Sequence, residues 1–136
     1  MTAVREGGCQ CGAVRYRVEG EPMAIGVCFC TECQRQSGSA FGMSLIVREE
    51  AFRLLRGDLK TFTRTADSGR PVTAHFCPEC GVRIFSRIAM GGGALSVKPG
   101  TLDDTSWLRP TVQTWTVRRQ PWVGLPHEVP AFDRQR

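Results

Sequence analysis

A chain of 136 residues, 41% hydrophobic and only 8% aromatic, is long enough for one domain spanning 1–136 with an adequate core, and short for two. No stretch reaches the 18 or more apolar residues of a membrane span, and Met1-Thr-Ala-Val-Arg-Glu-Gly-Gly8 has no apolar segment of secretory length, so a cytoplasmic protein without a membrane partner is expected. The formal charge is +5, but the basic residues are almost all arginine and dispersed, with Arg118-Arg119 the only adjacent pair; no stripe forms to follow a nucleic-acid backbone.

In chain order, short apolar or alternating runs recur between turn residues: Ala13–Val18, Ala24–Val27, Gly42–Val47, Phe52–Leu55, Leu59–Thr63, Val72–Phe76, Val82–Ile88, Ala94–Val97 and Val112–Val117. This spacing predicts an all-β domain. Arg15 and Arg17 against Val14, Tyr16 and Val18, and Arg83 and Ser86 against Val82 and Ile84, suit a sheet with one wet face. The breaks carry turn chemistry at Glu19-Gly20, Arg56-Gly57-Asp58, Asp67-Ser-Gly-Arg-Pro71, Met90-Gly-Gly-Gly93 and Lys98-Pro-Gly100. Helix is confined to one short turn over Thr31–Gln36, stopped by Gly38, and another over Leu102–Trp107. The proline-rich tail from Gln120 is expected to lie as an irregular cover over the sheet.

Seven cysteines fall in three clusters: Cys9-Gln-Cys11, Cys28-Phe-Cys30-Thr-Glu-Cys33 and Cys77-Pro-Glu-Cys80-Gly81. A disulfide framework needs an even count and an oxidising compartment, and neither is indicated. Metal binding fits better. In a Cys-x-Cys on a strand both side chains leave the same face, so Cys9/Cys11 and Cys28/Cys30 can each grip one ion; Cys77-Pro-Glu-Cys80-Gly81 has the turn residues of a zinc knuckle. A closed structural zinc takes four protein ligands, whereas a catalytic zinc keeps three and leaves a position for water or substrate. Two pairings stay open on spacing alone. Cys30/Cys33 with Cys77/Cys80 would make a zinc ribbon and strand the other three thiols; Cys9/Cys11 with Cys77/Cys80 uses all seven, as four plus three. With two Zn2+, seven thiolates contribute −7 + 4 = −3 and leave about +2 of the formal +5, which weakens the case for nucleic acid further.

The segments Gly8-Cys-Gln-Cys-Gly12, Cys28-Phe-Cys-Thr-Glu-Cys-Gln-Arg-Gln-Ser-Gly-Ser-Ala-Phe41, Phe76-Cys-Pro-Glu-Cys-Gly81 and Pro121-Trp122 resemble the glutathione-dependent formaldehyde-activating enzyme family, which also includes the centromere protein V domain. The likeness runs nearly end to end. It implies a β-tent-like fold of antiparallel sheets with zinc knuckles and little helix. It implies two zinc ions per chain: a structural one on Cys9, Cys11, Cys77 and Cys80, and a catalytic one on Cys28, Cys30 and Cys33. The activity it implies is that of a carbon–sulfur lyase joining a small thiol such as glutathione to formaldehyde as the S-hydroxymethyl adduct. A rival reading from another class is a non-catalytic, zinc-stabilised domain that binds protein or nucleic acid.

Two positions depart from the family's usual pattern. Members often carry His where this chain has Phe29, and many carry His some nine residues before the late Pro-Trp, where the register falls near Gln113. Of the two histidines, His75 in an alternating strand reads as a solvent-face or supporting group, and His127 has no motif around it. Ser37-Gly-Ser-Ala-Phe41 could turn backbone N–H groups toward the open metal or an anion, or be a plain tight turn. Arginines beside the metal could capture the carboxylates of an acidic small molecule. Trp107, Trp115 and Trp122 could wall a substrate, but large aromatics more often serve as core or cover.

Overall fold

A computed structural model describes residues 2–88 and 93–135. Among these residues ten strands form two sheets: β1 (Val4–Gly8), β2 (Arg15–Glu19) and β5 (Phe52–Arg56) in one, in the order β1-β2-β5; and β3 (Ala24–Cys28), β4 (Gly42–Arg48), β6 (Lys60–Thr65), β7 (Pro71–Phe76), β8 (Arg83–Ile88), β9 (Ala94–Val97) and β10 (Val112–Thr114) in the other, in the order β10-β3-β4-β9-β8-β7-β6. One short helix, α1 (Thr31–Ser37), leaves the end of β3. The protein is all-β, as its alternating runs predict.

The core lies between the sheets. Tyr16 and Val18 face inward from β2 while Arg15 and Arg17 stay partly exposed, and Ile25, Leu45, Val47, Ile84, Leu95 and Val97 meet them from the larger sheet. Burial of such side chains is worth roughly 1.5–3 kcal/mol each. Tyr16 stacks on Phe52 at 5.3 Å, and Phe52 in turn packs on Phe85 at 4.8 Å, which ties the two sheets together through one aromatic column. β9, which runs between β4 and β8, is buried along its whole length, so both of its faces are covered.

Five local expectations are corrected. β1 has no apolar alternation and escapes a pattern search. It is specified instead by pairing, with Glu6 opposite Arg17 and their side chains 3.0 Å apart, and by Gly7 opposite Tyr16 where no side chain would fit. The run Val112–Val117 stops at Thr114, because Trp115 takes a left-handed conformation (φ 57°) and turns the chain into a 3-10 turn at Thr116–Arg118. No helix forms over Leu102–Trp107. Leu102 bridges to Gly7, and the Asp104 carboxylate takes both the N–H (2.9 Å) and the hydroxyl (2.6 Å) of Ser106, a local bond that competes with helix. β10 joins β3 in parallel, the one exception to the antiparallel pairing of the named strands. Ser86 is buried rather than on a wet face: Ile84, Phe85 and Ser86 are covered in succession, so both faces of β8 are covered there. The turn expected at Met90-Gly-Gly-Gly93 lies, Gly93 apart, outside the described residues.

Candidate metal centres

At the exit of β1 the chain makes a tight turn in which Gly12 N–H donates to the Cys9 carbonyl (3.2 Å) and Cys9 N–H to the Val14 carbonyl (3.1 Å). Cys9 and Cys11 therefore converge through a turn, and not through the two-residue period of a strand as expected. At the end of β7, Cys77 N–H donates to the Val82 carbonyl (2.9 Å) and Gly81 N–H to the Cys77 carbonyl (2.8 Å). Gly81 sits at φ 81°, a conformation that glycine adopts without strain, so the knuckle closes around Cys77 and Cys80.

The two turns meet. Cys9, Cys11, Cys77 and Cys80 place their sulfurs within 4.8 Å of one another, with Cys9 to Cys11 at 3.6 Å and Cys11 to Cys77 at 3.8 Å. A tetrahedral ion bound at about 2.3 Å from each sulfur would set them about 3.8 Å apart, so this donor set fits zinc. Backbone donors face the sulfurs: Val14 N–H reaches Cys9 Sγ at 3.2 Å, and the N–H groups of Val82 and then Cys11 pull the Cys80 thiol down to about 6.

The second group, Cys28, Cys30 and Cys33, is assembled differently. Cys28 ends β3, Cys30 precedes the first turn of α1 and accepts the N–H of Cys33 at 3.3 Å, and Cys33 lies within that turn. Between them Phe29 is fully buried, its ring edge-on to Phe41 at 5.8 Å and its N–H donating to the Thr114 carbonyl at 3.1 Å. Phe29 thus pins the segment into the core while its neighbours turn outward. The three sulfurs lie within 4.8 Å of one another and could hold a metal ion. Hydrogen bonds from Cys30 and then Cys33 hold the Cys28 thiol far below its ordinary range, and the same contacts drive Cys33 up.

Of the two pairings that spacing left open, the fold brings together the four and the three. Neither histidine joins them. His75 stacks face to face on Phe85 at 4.2 Å, and burial, then Arg87, pushes its imidazole pKa down. His127 is exposed. Gln113 is 5% exposed under the C-terminal tail, where its side-chain N–H donates to the Val129 carbonyl at 3.4 Å. The N–H groups of Gly38 and Ser39 are committed to the carbonyls of Arg35 (3.3 Å) and Gln34 (3.2 Å), which closes the helix and removes these two as anion donors. Trp107 lies beneath the Arg5 guanidinium at 3.6 Å, Trp115 Nε1 donates to Gln135 at 3.4 Å, and Trp122 is 74% exposed.

Three residues near the open group escaped the sequence reading. Gln36 Nε2 lies 3.5 Å from Cys33 Sγ, and Arg83 Nη1 lies 3.1 Å from Gln36 Oε1. Lys98, at the end of β9, is pushed down by burial, while the neighbouring Cys33 sulfur and, less strongly, Cys28 and Cys30 hold it up. A lysine directly after the run Ala94–Val97 was the one visible signal.

The family model described as "Glutathione-dependent formaldehyde-activating enzyme" matches residues 4–118. Among solved structures, a Rhodobacter sphaeroides protein is similar in fold, with a TM-score of 0.59 and 22% sequence identity over 77% of this chain and 91% of that one.

Proposed function

Since this chain belongs to the glutathione-dependent formaldehyde-activating enzyme family, we propose that it is a zinc-dependent carbon–sulfur lyase acting on the adduct between a glutathione-like thiol and formaldehyde. The observation that carries this reading is the unequal division of the sulfurs into a group of four and a group of three. Four thiolates complete a zinc ion's coordination and suit a structural role; three leave a position for a reactant. Cys9, Cys11, Cys77 and Cys80 are assigned to the structural ion, and Cys28, Cys30 and Cys33 to the working one.

When bound at the three sulfurs, zinc supplies a Lewis acid that lowers the proton cost of making a thiolate or polarises an aldehyde oxygen. The chain's own residues set the charge around it. Three thiolates and Zn2+ sum to −3 + 2 = −1, which favours exchanging a ligand or binding a neutral carbonyl over gathering more anion. A surface hollow of about 370 Å³ runs along α1, lined by Thr31, Gln34, Arg35, Gly38 and Ser39, and offers the Arg35 guanidinium to a carboxylate. In the synthetic direction the thiol sulfur forms a bond to the formaldehyde carbon and the thiol proton ends on the carbonyl oxygen, with no net oxidation.

The test is addition of glutathione to formaldehyde, followed by NMR of the S-hydroxymethyl product, with the zinc-loaded protein and with Cys30→Ser. Acceleration by the first and not the second is expected. No acceleration and no glutathione binding at millimolar concentration would favour a zinc-stabilised binding domain instead. Binding that weakens at high salt would identify carboxylate capture by arginine.

A further inference from the structure

Gln36 stands three residues after Cys33, on the same side of α1, and its amide is held from both ends. Arg83 can only donate hydrogen bonds, so the atom it meets at 3.1 Å must be the amide oxygen. The amide nitrogen then necessarily faces Cys33 Sγ, 3.5 Å away, as a donor. Arg83 begins β8, opposite Phe76 of β7, with β9 on the strand's other side, so the guanidinium is anchored in a sheet rather than on a loop. A fixed N–H donor aimed at a cysteine sulfur has a definite chemical effect. It stabilises the lone pairs of the thiolate, lowers the electron density that sulfur gives a metal, and fixes the direction of the sulfur.

We propose that Gln36, oriented by Arg83, is a positioning residue for Cys33, setting both the geometry and the donor strength of that sulfur toward the metal. The inference rests on the reading of Cys28, Cys30 and Cys33 as a metal site. Two features favour it over a simple tie between α1 and β8. The tie requires only one end of the amide, yet the other end is spent on sulfur. Partners of this kind also govern how metal ligands behave, and their removal costs about 10–100-fold in metal affinity or activity.

The experiment uses the full chain with zinc at the four-cysteine group and Co(II) at the three-cysteine group. Gln36→Glu keeps the length and the contact with Arg83 but replaces the N–H donor with an acceptor; Arg83→Met frees the amide without touching Cys33. In Gln36→Glu the sulfur-to-cobalt charge-transfer band should move to lower energy, and Co(II) and Zn2+ should bind this group about 10–100-fold more weakly. Arg83→Met should move both readouts in the same direction by less. A purely structural tie predicts that Arg83→Met, which adds no charge at Cys33, lowers stability without moving the band. Unchanged band position and affinity in both variants, with wild-type circular dichroism, would overturn the inference. A wild-type chain that takes up no Co(II) at these three cysteines would instead overturn the underlying metal assignment, and this inference with it.

Discussion

The Tyr16 hydroxyl donates a hydrogen bond to Thr101 Oγ1 at 2.7 Å, and the direction is fixed because Thr101 gives its own proton to the Lys98 carbonyl at 2.6 Å. The chain of bonds thus runs from the centre of β2 to Lys98, just past the end of β9. Burial pushes the Tyr16 phenol up to about 12. The folded chain keeps this proton beyond the pH near 10 at which an unfolded tyrosine releases it. Its stabilising contribution is therefore whole below about pH 10 and is lost as pH rises through about 12. Tyr16 is the single tyrosine, so its ultraviolet titration reads this directly. Tyr16→Phe should cost about 1 kcal/mol at neutral pH and flatten the alkaline fall in the denaturant midpoint.

Gly7 is a second test of the same junction. An added methyl would meet the Thr101 carbonyl oxygen and, at 2.7 Å, the Tyr16 hydroxyl. Gly7→Ala should lower stability by about 1–3 kcal/mol in a urea melt, since backbone must move to admit it. A melt matching wild type would mean that β1 is not held against the 101–102 segment in solution.

Phe29→Ala should be the most damaging single change near the open group. It empties a fully buried aromatic site, which costs about 3–5 kcal/mol, and it releases the segment that spaces Cys28 from Cys30. Urea denaturation and zinc content measured together should both fall. Loss of stability with full zinc retention would separate the packing role from the positioning one.

The two cysteine groups should fail in different ways. Cys77→Ser breaks the four-sulfur set at a fully buried ligand and should lower the melting temperature or the soluble yield, because structural zinc in small domains binds with roughly 10–16 kcal/mol of apparent free energy. Cys30→Ser should leave one zinc per chain, retain β-rich circular dichroism, and abolish most adduct formation. Metal analysis with circular dichroism distinguishes them; unfolding of Cys30→Ser with loss of both ions would make the central group structural.

What was legible in the sequence follows physical range. The inward set Val14, Tyr16 and Val18 shows in alternation with Arg15 and Arg17, a local property of the chain. The knuckle at Cys77 shows because its turn chemistry is written in adjacent residues. β1 did not show, since Glu6 and Gly7 acquire meaning only opposite Arg17 and Tyr16. Trp115 in a left-handed backbone conformation is dictated by the path of the tail, whose Phe132 and Asp133 carbonyls accept the N–H groups of Thr116 (3.2 Å) and Val117 (3.4 Å). Arg83 and Lys98 were not legible as site residues because the registers of β8 and β9 place them, and Gln36, three residues after Cys33 on α1, gains its meaning only from the hydrogen bond that Arg83 gives it.

The sulfurs of Cys11 and Cys77 lie 3.8 Å apart across 66 residues of chain, whereas Cys28 and Cys33 are nearly adjacent in sequence. An ion gripping the first group is a clasp: it closes a long loop and removes conformations from the unfolded chain much as a crosslink does, worth about 4 kcal/mol in the chain-entropy account. An ion in the second group closes almost nothing. Were both groups to hold ions, losing the first would cost the fold far more than losing the second, a separation set by where the cysteines fall along the chain.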